Sequence, residues 1–315
     1  MPFHGIRTAS LRGSRPWALP YRLLEVVWGT VQAIRLVDGF APQVVLATGG
    51  YVCAPLIIAA WIRGVPSLVH LPDLAPGLAI RALARFASRV AVSFPPSRGF
   101  FAPGKAVVTG YPVRSELFRA DKLAARDRLG LDEREKTLLV FGGSQGAHSI
   151  NLAVGEVLSE LLEVCQVLHI SGEADEPWLR ARRDRLTQEL AGRYSLYAYL
   201  HQEMIDALAG ADLVVGRAGA ASTGEFPALA LPSILIPYPY AGRHQELNAD
   251  YMVENGAAVK MGDADLRTGE LLRTVAELFE DPEKLTGLAD GACRLAQPEA
   301  TQRIADLLRE VARPN

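Results

Sequence analysis

The stretch TLLVFGGSQGAHSIN, residues 137–151, joins an uncharged apolar run to a Gly-rich segment and then to a helical pattern. An apolar run of this length predicts a strand that is buried on both faces of a parallel sheet. The glycines allow a tight turn, because glycine reaches backbone conformations that other residues avoid. Apolar residues then recur at helical spacing up to about residue 163, which predicts a helix. A strand, a Gly-rich turn and a helix in this order are typical of α/β proteins.

The same order recurs along the chain, so we predict two parallel sheets that helices cover on both faces. The predicted strands are 43–48, 67–71, 89–94 and 106–110 in the first half, and 137–141, 165–170, 195–200, 211–216 and 232–238 in the second. A charged segment with few aliphatic residues, 117–136, separates the halves. We therefore predict a first Rossmann-like domain over residues 1–117, a second over 118–297, and a terminal helix over 298–315 that packs on either domain.

The first domain is predicted to be incomplete. It lacks the apolar strand that usually opens such a domain, and residues 1–16, MPFHGIRTASLRGSRP, are irregular and basic. The chain therefore enters a Rossmann-like domain partway through. We expect the loss of central strands to leave apolar faces uncovered and to lower the stability of this domain.

The composition indicates an ordinary globular protein. The 315 residues are 49% hydrophobic and 22% charged, and the net charge of −2 gives no electrostatic reason to bind nucleic acid. We find no apolar stretch of the roughly 18 to 20 residues that a membrane-spanning helix needs, and no signal peptide. The three cysteines are far apart, and we interpret them as buried free thiols of a reducing compartment. We expect a soluble cytoplasmic protein, and contact with a membrane stays open.

Three Gly-rich loops follow predicted strands and open predicted helices, at 48–55, 141–151 and 216–225. In open α/β sheets, ligands bind at the carboxyl ends of the strands, where helix amino termini offer unpaired N–H groups to anions. The hydroxyl and amide side chains that are candidates to donate to phosphate are Ser144, Gln145, Ser222 and Thr223. The alternative is that each loop is only a tight turn. Since no loop has the P-loop Lys or the dinucleotide pattern with its acid, ATPase and dehydrogenase chemistry are not favoured.

Two further polar features follow the later strands. Glu225 lies one helical turn beyond the third loop, where a carboxylate accepts hydrogen bonds from a ribose diol or merely suits the helix dipole. In YPYAGRHQELNAD, 238–250, the side chains of His244, Gln245 and Asn248 either face a sugar or belong to a solvated loop and helix surface. The spacing alone leaves both pairs of alternatives open.

The segment 15–35, RPWALPYRLLEVVWGTVQAIR, carries aromatic residues together with arginines. Trp17, Tyr21 and Trp28 lie near Arg15 and Arg22, a combination that suits an interfacial helix on anionic lipid. The alternative is an ordinary core helix with two buried tryptophans.

Six motifs along the chain resemble those of the MurG-type glycosyltransferases, in the same order. They are GGYVCAP, HLPDLAPGLA, GYPVR, GGSQGA, RAGAASTGE and IPYPYAGRHQELNA. The resemblance runs from about Ile6 to the end of the chain. It implies the GT-B fold, in which two Rossmann-like domains with parallel sheets face a central cleft and the last helix returns to the first domain.

The resemblance also implies a reaction. The family transfers N-acetylglucosamine from UDP-N-acetylglucosamine to undecaprenyl-pyrophosphoryl-N-acetylmuramyl-pentapeptide, at the cytoplasmic side of the cell membrane during peptidoglycan synthesis. The expected partners are therefore these two substrates and an anionic membrane surface, without nucleic acid. The implied chemistry is inverting and independent of any metal or cofactor, and we identify no Asp-x-Asp pattern that would hold a divalent cation.

The family's nucleotide contacts fall on matching positions of this chain. The resemblance implies that Leu200 and His201 read the uracil edge with Met204 behind them, and that Glu225 binds the ribose hydroxyls. It places Arg114 of GYPVR near the nucleotide.

The remaining implied contacts concern the diphosphate, the sugar and the acceptor side. The diphosphate residues are Ser144, Ala220, Ala221 and Ser222, and the sugar residues are His244 and Gln245. On the acceptor and membrane side the matching residues are Gly49, Gly50, Tyr51, Trp17 and Trp28.

The chain departs from the family at the expected general base. The family opens with a strand and a Gly-rich loop that ends in a His, the favoured base for the acceptor hydroxyl, and this chain begins after that segment. In HLPD, 70–73, Leu71 stands where the family has Glu. The candidate substitutes are His70 and Asp73. Three explanations for the missing His stay open: a misassigned start, a truncated and catalytically poor form, or a different base. The alternative functions are a catalytically impaired UDP-sugar-binding fragment and a related transferase for another nucleotide sugar.

Overall fold

The computed structural model of the protein describes residues 3–9, 17, 19–143, 146–240 and 243–312. The chain divides into two compact units, Met1–Tyr111 together with Glu299–Asn315, and Pro112–Pro298. The divisions therefore fall after residues 111 and 298, where the sequence led us to place them after 117 and 297.

Strands and helices alternate through both units. The strands are β1 (Val45–Ala47), β2 (Ser67–Leu71), β3 (Arg89–Val92), β4 (Ala106–Val108), β5 (Thr137–Phe141), β6 (Gln166–Ile170), β7 (Tyr194–Tyr197), β8 (Leu213–Gly216), β9 (Ser233–Leu235) and β10 (Ala258–Lys260). The helices are α1 (Leu19–Phe40), α2 (Ala54–Ile62), α3 (Leu78–Leu83), α4 (Lys122–Leu129), α5 (His148–Glu156), α6 (Leu158–Val164), α7 (Glu176–Arg183), α8 (Gln188–Gly192), α9 (Met204–Gly210), α10 (Ser222–Ala228), α11 (His244–Glu254), α12 (Glu270–Glu280), α13 (Pro282–Leu295) and α14 (Ala300–Val311).

The sheet of the first unit has, within the described part of the chain, the order β1-β2-β3-β4 with all pairs parallel. Alternate residues of its strands pack under α1, α2 and α3 on one face, with every residue of β2 buried. On the opposite face Leu68 and Ala91 pack against Ile304 and Leu307 of α14. Leu46 lies in register with Leu68 and is 42% exposed, so this face is covered at its centre but open at the β1 edge.

The sheet of the second unit has the order β10-β9-β8-β5-β6-β7 over the described residues, again all parallel. Two clusters of buried aliphatic side chains, one on each face, pack the helices against it. Because β5 and β8 are neighbours, the loops that follow them lie side by side at the carboxyl edge. The prediction of an α/β protein with two Rossmann-like units is confirmed.

Three details differ from the sequence-based expectations. The predicted helix 148–163 is broken at Val157, whose φ of −110° and ψ of 23° are not helical, into α5 and α6. The short strand β10 was not among the strands that the pattern predicted, because three residues carry too little periodicity. The prediction that all cysteines are buried was wrong for Cys293, which lies on the exposed side of α13, and for the half-buried Cys53.

Candidate functional site

The loop between β5 and α5 passes close to the end of a neighbouring strand. Gly143 and Gly146 have φ angles of 90° and 76°, which residues with a side chain rarely adopt. A Cβ atom on Gly146 would lie 2.2 Å from the carbonyl oxygen of Ser171, which follows β6. Glycine is therefore required here by both conformation and space. Ser144, a predicted diphosphate contact, and Gln145 lie outside the described residues.

Arg217, the first residue after β8, holds the loops of this edge together. Its guanidinium donates to the Asp263 carboxylate at 2.6 Å, to the Ser149 hydroxyl at 2.8 Å and to the Ile236 carbonyl at 3.1 Å. Its own carbonyl accepts the hydroxyl of Ser222 at 2.8 Å. Because the guanidinium is nearly buried and fully engaged, its role is to join the ends of β8, β9 and β10 to the start of α5.

The start of α10 is braced by its own hydroxyls. Ser222 donates to Arg217, as described, and the hydroxyl of Thr223 donates to the carbonyl of Ala220 at 2.7 Å. These protons are thus used within the loop, which differs from our expectation that both hydroxyls donate to phosphate. The N–H groups of Ala220 and Ala221 make no backbone hydrogen bond outside the helix with another described residue. Main-chain donors therefore remain at this helix mouth.

Glu225 lies in the first turn of α10 and is half-buried. Burial raises the pKa of its carboxyl group, and the positive charge of Arg114 opposes that rise. The carboxylate has no hydrogen-bond partner among the described residues. A half-buried acid without a partner has acceptor capacity that a ligand can use. The structure thus brings Arg114 and Glu225, which are far apart in the chain, within electrostatic reach of each other.

Leu200, His201 and Met204 follow β7 and lead into α9. Leu200 is buried, Met204 is half-buried, and His201 is exposed. The ring of His201 packs edge-on against Tyr199, with centroids 4.8 Å apart, and its backbone N–H donates to the Glu203 carboxylate at 3.2 Å. The segment therefore places the apolar side chains of Leu200 and Met204 beside the exposed rings of Tyr199 and His201.

His244 and Gln245 open α11 and are both half-buried. The side-chain oxygen of Gln245 accepts the backbone N–H of Tyr238 at 2.8 Å, which fixes the end of the preceding loop. Asn248 is fully buried, and its amide donates to the carbonyl of Ala218 at 3.1 Å. The interpretation of Asn248 as a residue of the solvated helix surface is therefore wrong, because it ties α11 to the loop after β8.

In the first unit, the loop after β1 has two consecutive glycines with positive φ. Gly49 and Gly50 have φ angles of 94° and 79°, and Tyr51 beside them is 47% exposed. The turn is therefore specific to glycine, and it presents an aromatic ring at the carboxyl edge of the sheet.

His70, a candidate base, is only 6% exposed at the end of β2. Its Nε2 lies 3.4 Å from the Ser93 hydroxyl, and it hydrogen-bonds to the backbone of Gly110. Burial lowers its pKa, and the bond to Gly110 only partly opposes this effect. Asp73, three residues on, is half-buried. Of the two candidates, Asp73 is thus the more accessible.

Helix α1 has one packed face and one exposed apolar face. Gly29, Ala33 and Val37 face the interior, whereas Trp28 is 52% exposed. The exposed stripe at helical spacing is completed by Tyr21, Leu24, Val27 and Val31. Trp17, ahead of the helix, is 74% exposed. The alternative of a core helix with two buried tryptophans is therefore wrong.

No helix in the part of the chain that the structure describes is both long and apolar enough to span a membrane. In the same part, no three side chains of His, Cys, Asp or Glu are grouped so that they could hold a metal ion. The prediction that the chain has no Asp-x-Asp pattern was wrong, because Asp263-Ala-Asp265 is such a pattern. Asp263 is bound to Arg217 and Ser149, and Asp265 accepts the N–H of Gly262 at 3.0 Å, so both carboxylates serve the protein itself.

Comparison with known families gives two matches. The model of the glycosyltransferase family 28 C-terminal domain matches residues 137–307, and that of the family 28 N-terminal domain matches residues 1–92. Together they cover part of each unit and the Gly-rich loops, and residues 93–136, which include Arg114, lie outside both matches.

Curated relatives carry one name, UDP-N-acetylglucosamine–N-acetylmuramyl-(pentapeptide) pyrophosphoryl-undecaprenol N-acetylglucosamine transferase. The protein of that name from Roseiflexus sp. is 42% identical, over 98% of this chain and 78% of the relative. The one from Desulforudis audaxviator is 40% identical, over 99% of this chain and 85% of the relative.

Solved structures agree with this similarity. MurG of Acinetobacter baumannii superposes with a TM-score of 0.74 at 26% identity, over 98% of this chain and 85% of that chain. A UDP-GlcNAc 2-epimerase from Neisseria meningitidis, bound to UDP-GlcNAc, gives a TM-score of 0.65 at 14% identity, over 90% and 82% of the two chains, and shows the shared fold only. On these matches, taken with the loop geometry above, the chain belongs to glycosyltransferase family 28 and, within it, to the MurG-type transferases.

Proposed function

We propose that this protein transfers N-acetylglucosamine from UDP-N-acetylglucosamine to lipid-linked N-acetylmuramyl-pentapeptide, with inversion at the sugar carbon and without a metal. The names and identities of the relatives support this reaction. The six family motifs support it independently, because they recur here in order. The proposal assigns donor binding to the second unit and acceptor binding to the first.

The proposal of a donor site rests on the environment of the Glu225 carboxylate. A half-buried carboxylate without a hydrogen-bond partner among the described residues is unfavourable for the free protein. A ribose diol supplies two hydroxyl donors, which satisfy this group. Arg114 then lies close enough to balance the charge of the carboxylate or to contact the nucleotide.

The diphosphate is proposed to lie between the loop before α5 and the start of α10. Ser144 and the N–H groups of Ala220 and Ala221 act as donors, and Ser222 keeps the loop in shape. Negative charge grows on the leaving diphosphate as the bond to the sugar breaks, and fixed donors favour that charge. One such donor is typically worth about 10²–10³ in rate.

The uracil is proposed to pack on Leu200, with His201 at its edge and Met204 behind. His244 and Gln245 face the hydroxyls of the transferred sugar. The carbonyl oxygen of Gln245 is already bound to Tyr238, so its amide NH₂ is the group left to donate to the sugar.

The acceptor hydroxyl needs a base, which is typically worth about 10²–10⁴ in rate. We propose Asp73 for this role in preference to His70. Asp73 is more accessible, whereas the His70 ring is buried between Ser93 and Gly110. Gly49, Gly50 and Tyr51 then line the acceptor side.

The lipid-linked acceptor requires contact with a membrane surface. We propose that Trp17, Trp28 and the exposed stripe of α1 make this contact on the cytoplasmic side. Aromatic and aliphatic side chains on one helix face enter the interfacial region, and nearby arginines attract anionic lipid.

The test combines binding and turnover. Glu225→Gln removes the negative charge at nearly constant volume, and we expect UDP affinity to fall by about tenfold or more, since hydrogen bonds to charged groups are worth about 1.5–3 kcal/mol. Calorimetric titration with UDP measures this loss. Glu270→Gln is the matched control, because Glu270 is also a first-turn acid, and it pairs with Arg273 of its own helix α12. Equal UDP affinity in the Glu225 variant and the wild type would contradict the donor site.

A second candidate function is a UDP-sugar-binding protein without transferase activity. The buried state of His70 favours it, because that ring is poorly placed to take a proton from an acceptor. Incubation with UDP-N-acetylglucosamine and the lipid acceptor separates the candidates. Release of UDP with formation of the disaccharide supports the transferase, whereas UDP binding without product supports the binding protein.

A further inference from the structure

A chain of hydrogen bonds runs through the second unit beside the donor site. The Tyr194 hydroxyl lies 2.8 Å from Nδ1 of His169, whose Nε2 lies 3.0 Å from Oδ1 of Asn151. The amide nitrogen of Asn151 donates to Oδ2 of Asp175 at 2.7 Å, and Nδ1 of His148 lies 2.8 Å from Oδ1 of Asp175. The chain therefore links the buried end of β7 to the first residue of α5.

The donor and the acceptor of each of these hydrogen bonds can be assigned, starting from the Asn151 amide. The Asn151 amide nitrogen can only donate, so its oxygen accepts Nε2–H of His169, and the hydroxyl of Tyr194 donates to Nδ1 of that ring. Every donor thus points toward Asp175, which also receives Nε1–H of Trp178 at 2.8 Å. Burial raises the pKa of Asp175, but the bonds from Trp178, Asn151 and His148 outweigh it and lower the pKa overall.

The charge of Asp175 needs a counter-charge. Its side chain is 10% exposed, and a nearly buried carboxylate is costly unless a cation pairs with it. Its hydrogen-bond partners among the described residues are His148, Asn151 and Trp178, and of these only a histidine ring can carry a charge. His169, the other histidine of the network, is not bonded to Asp175, and burial lowers its pKa to about 3. His148 is therefore the one of these partners that forms an ion pair with Asp175 when its ring is protonated.

His148 differs from the rest of the network in its exposure. Its side chain is 68% exposed, although its Nδ1 is anchored on a nearly buried acid. Since Nδ1 faces Asp175, the opposite ring nitrogen, Nε2, is the one left for solvent or a ligand. A bond that orients a histidine in this way is how proteins aim the second nitrogen at a target.

Hydrogen bonds of the residues that follow His148 relate it to the proposed diphosphate site. The next residue, Ser149, is bound to Arg217 at 2.8 Å, and the carbonyl of Arg217 holds Ser222 at 2.8 Å. His148 also follows the Gly-rich loop directly. Its backbone thus lies at the start of α5, on one side of the proposed diphosphate site, and Asp175 holds its ring on the β6 side of that loop.

We propose that His148 is a diphosphate-binding residue of the donor site and that Asp175 is the positioning residue that aims it. This inference rests on the proposed function. In it, the protonated ring donates Nε2–H to a phosphate oxygen of the nucleoside diphosphate, and Asp175 retains the bond to Nδ1. The pair adds a cation to a cradle that otherwise consists of main-chain and hydroxyl donors.

The test compares UDP with uridine, which has the same base and ribose but no phosphate. His148→Ala is expected to weaken UDP binding by about tenfold or more and to leave uridine binding unchanged, because only the phosphate contact is lost. His148→Arg is expected to restore most of the UDP affinity, since it supplies a donor cation at the same place. His4→Ala, which removes an exposed histidine of the first unit, is the matched control.

The role of Asp175 is tested through the same ratio of affinities. Asp175→Asn is expected to lower the preference for UDP over uridine, and the double variant with His148→Ala is expected to lower it no further than His148→Ala alone. Uridine binding in each variant shows that the second unit is still folded. An Asp175 effect that is as large on uridine as on UDP would mean a merely structural role.

The outcomes separate this inference from the proposed function. If the wild-type protein binds neither UDP nor uridine, the proposed function fails. If it binds both and His148→Ala leaves the UDP affinity unchanged, the donor site stands and the role of His148 is overturned.

Discussion

At the scale of single residues, the sequence predicted chemistry where a side chain acts through its immediate neighbours along the chain. The positive φ angles of Gly143 and Gly146 follow from a turn between a strand and a helix. The roles of Arg217 and Asp175 did not follow, because their partners are 68 and 27 residues away, at Ser149 and His148. Contacts of that range are set by the order of strands, which a local pattern does not contain.

The raised pKa of Glu225 predicts a pH dependence of ribose binding. The ionised carboxylate accepts hydrogen bonds from a diol on both of its oxygens, whereas protonation removes the charge and turns one oxygen into a donor. Burial makes the group take up a proton at a higher pH than an ordinary glutamate. We expect uridine affinity to fall as the pH is lowered from 7 to 5, with the midpoint above the usual range for glutamate. Uridine is the suitable probe because it lacks phosphates that titrate or meet His148.

Titration of Glu225→Gln with uridine at each pH is the control for this dependence. The amide does not ionise, so the affinity of the variant should be low and independent of pH over this range. A wild-type curve as flat as that of the variant would contradict the assignment of Glu225 to the ribose.

At the scale of elements, strands were predicted best where they are uncharged and flanked by polar loops. Strand β2 has all five residues buried, and its predicted and observed limits coincide at 67 and 71. Helix limits were predicted less well, since α5 and α6 share one helical pattern that is interrupted by the backbone angles of Val157. Packing against α12, which contacts α6, is a tertiary effect that the pattern of one helix does not reveal.

The open edge of β1 predicts self-association. The strand pairs with β2 on one side and with no described strand on the other, and Leu46 exposes an apolar side chain on the face of the sheet beside that edge, a combination that natural edge strands avoid. Leu46→Lys is expected to reduce association at high protein concentration and to change the free energy of unfolding by no more than about 0.5 kcal/mol, because the site is at the surface.

Light scattering as a function of concentration measures that association. Leu123→Lys is the matched control, since Leu123 is 56% exposed but lies on α4 and away from any strand edge. Association that is reduced equally by both substitutions would indicate a general effect of charge and not pairing at β1.

At the scale of the whole molecule, each unit contains a histidine that is buried in its neutral form. Burial lowers the pKa of His70 in the first unit and lowers that of His169 in the second to about 3. In the unfolded chain both titrate near 6.5, so between these values the unfolded state binds protons that the folded state does not. Stability is therefore complete above about pH 6.5 and falls as the pH is lowered.

The expected size for His169 is about 2 kcal/mol between pH 6.5 and pH 5, from about 1.4 kcal/mol per pH unit. Glu225 acts in the opposite direction, since its pKa is raised, and Asp175 and Asp212 titrate at lower pH because their pKa values are lowered. Urea unfolding at several pH values measures the slope. His169→Gln should flatten it whatever the absolute stability of the variant, and an unchanged slope would contradict the prediction.

The contacts of Arg217 have a mechanical consequence. One guanidinium bonds to three separate segments, at Ser149, at Ile236 and Pro237, and at Asp263, and the carbonyl of Arg217 bonds to a fourth, at Ser222. Because all these segments are bonded to the same residue, a displacement of one is expected to move the others, so the loops at the carboxyl edge of this sheet move together. A nucleotide that binds either Gly-rich loop, as proposed, is therefore expected to restrict the motion of both.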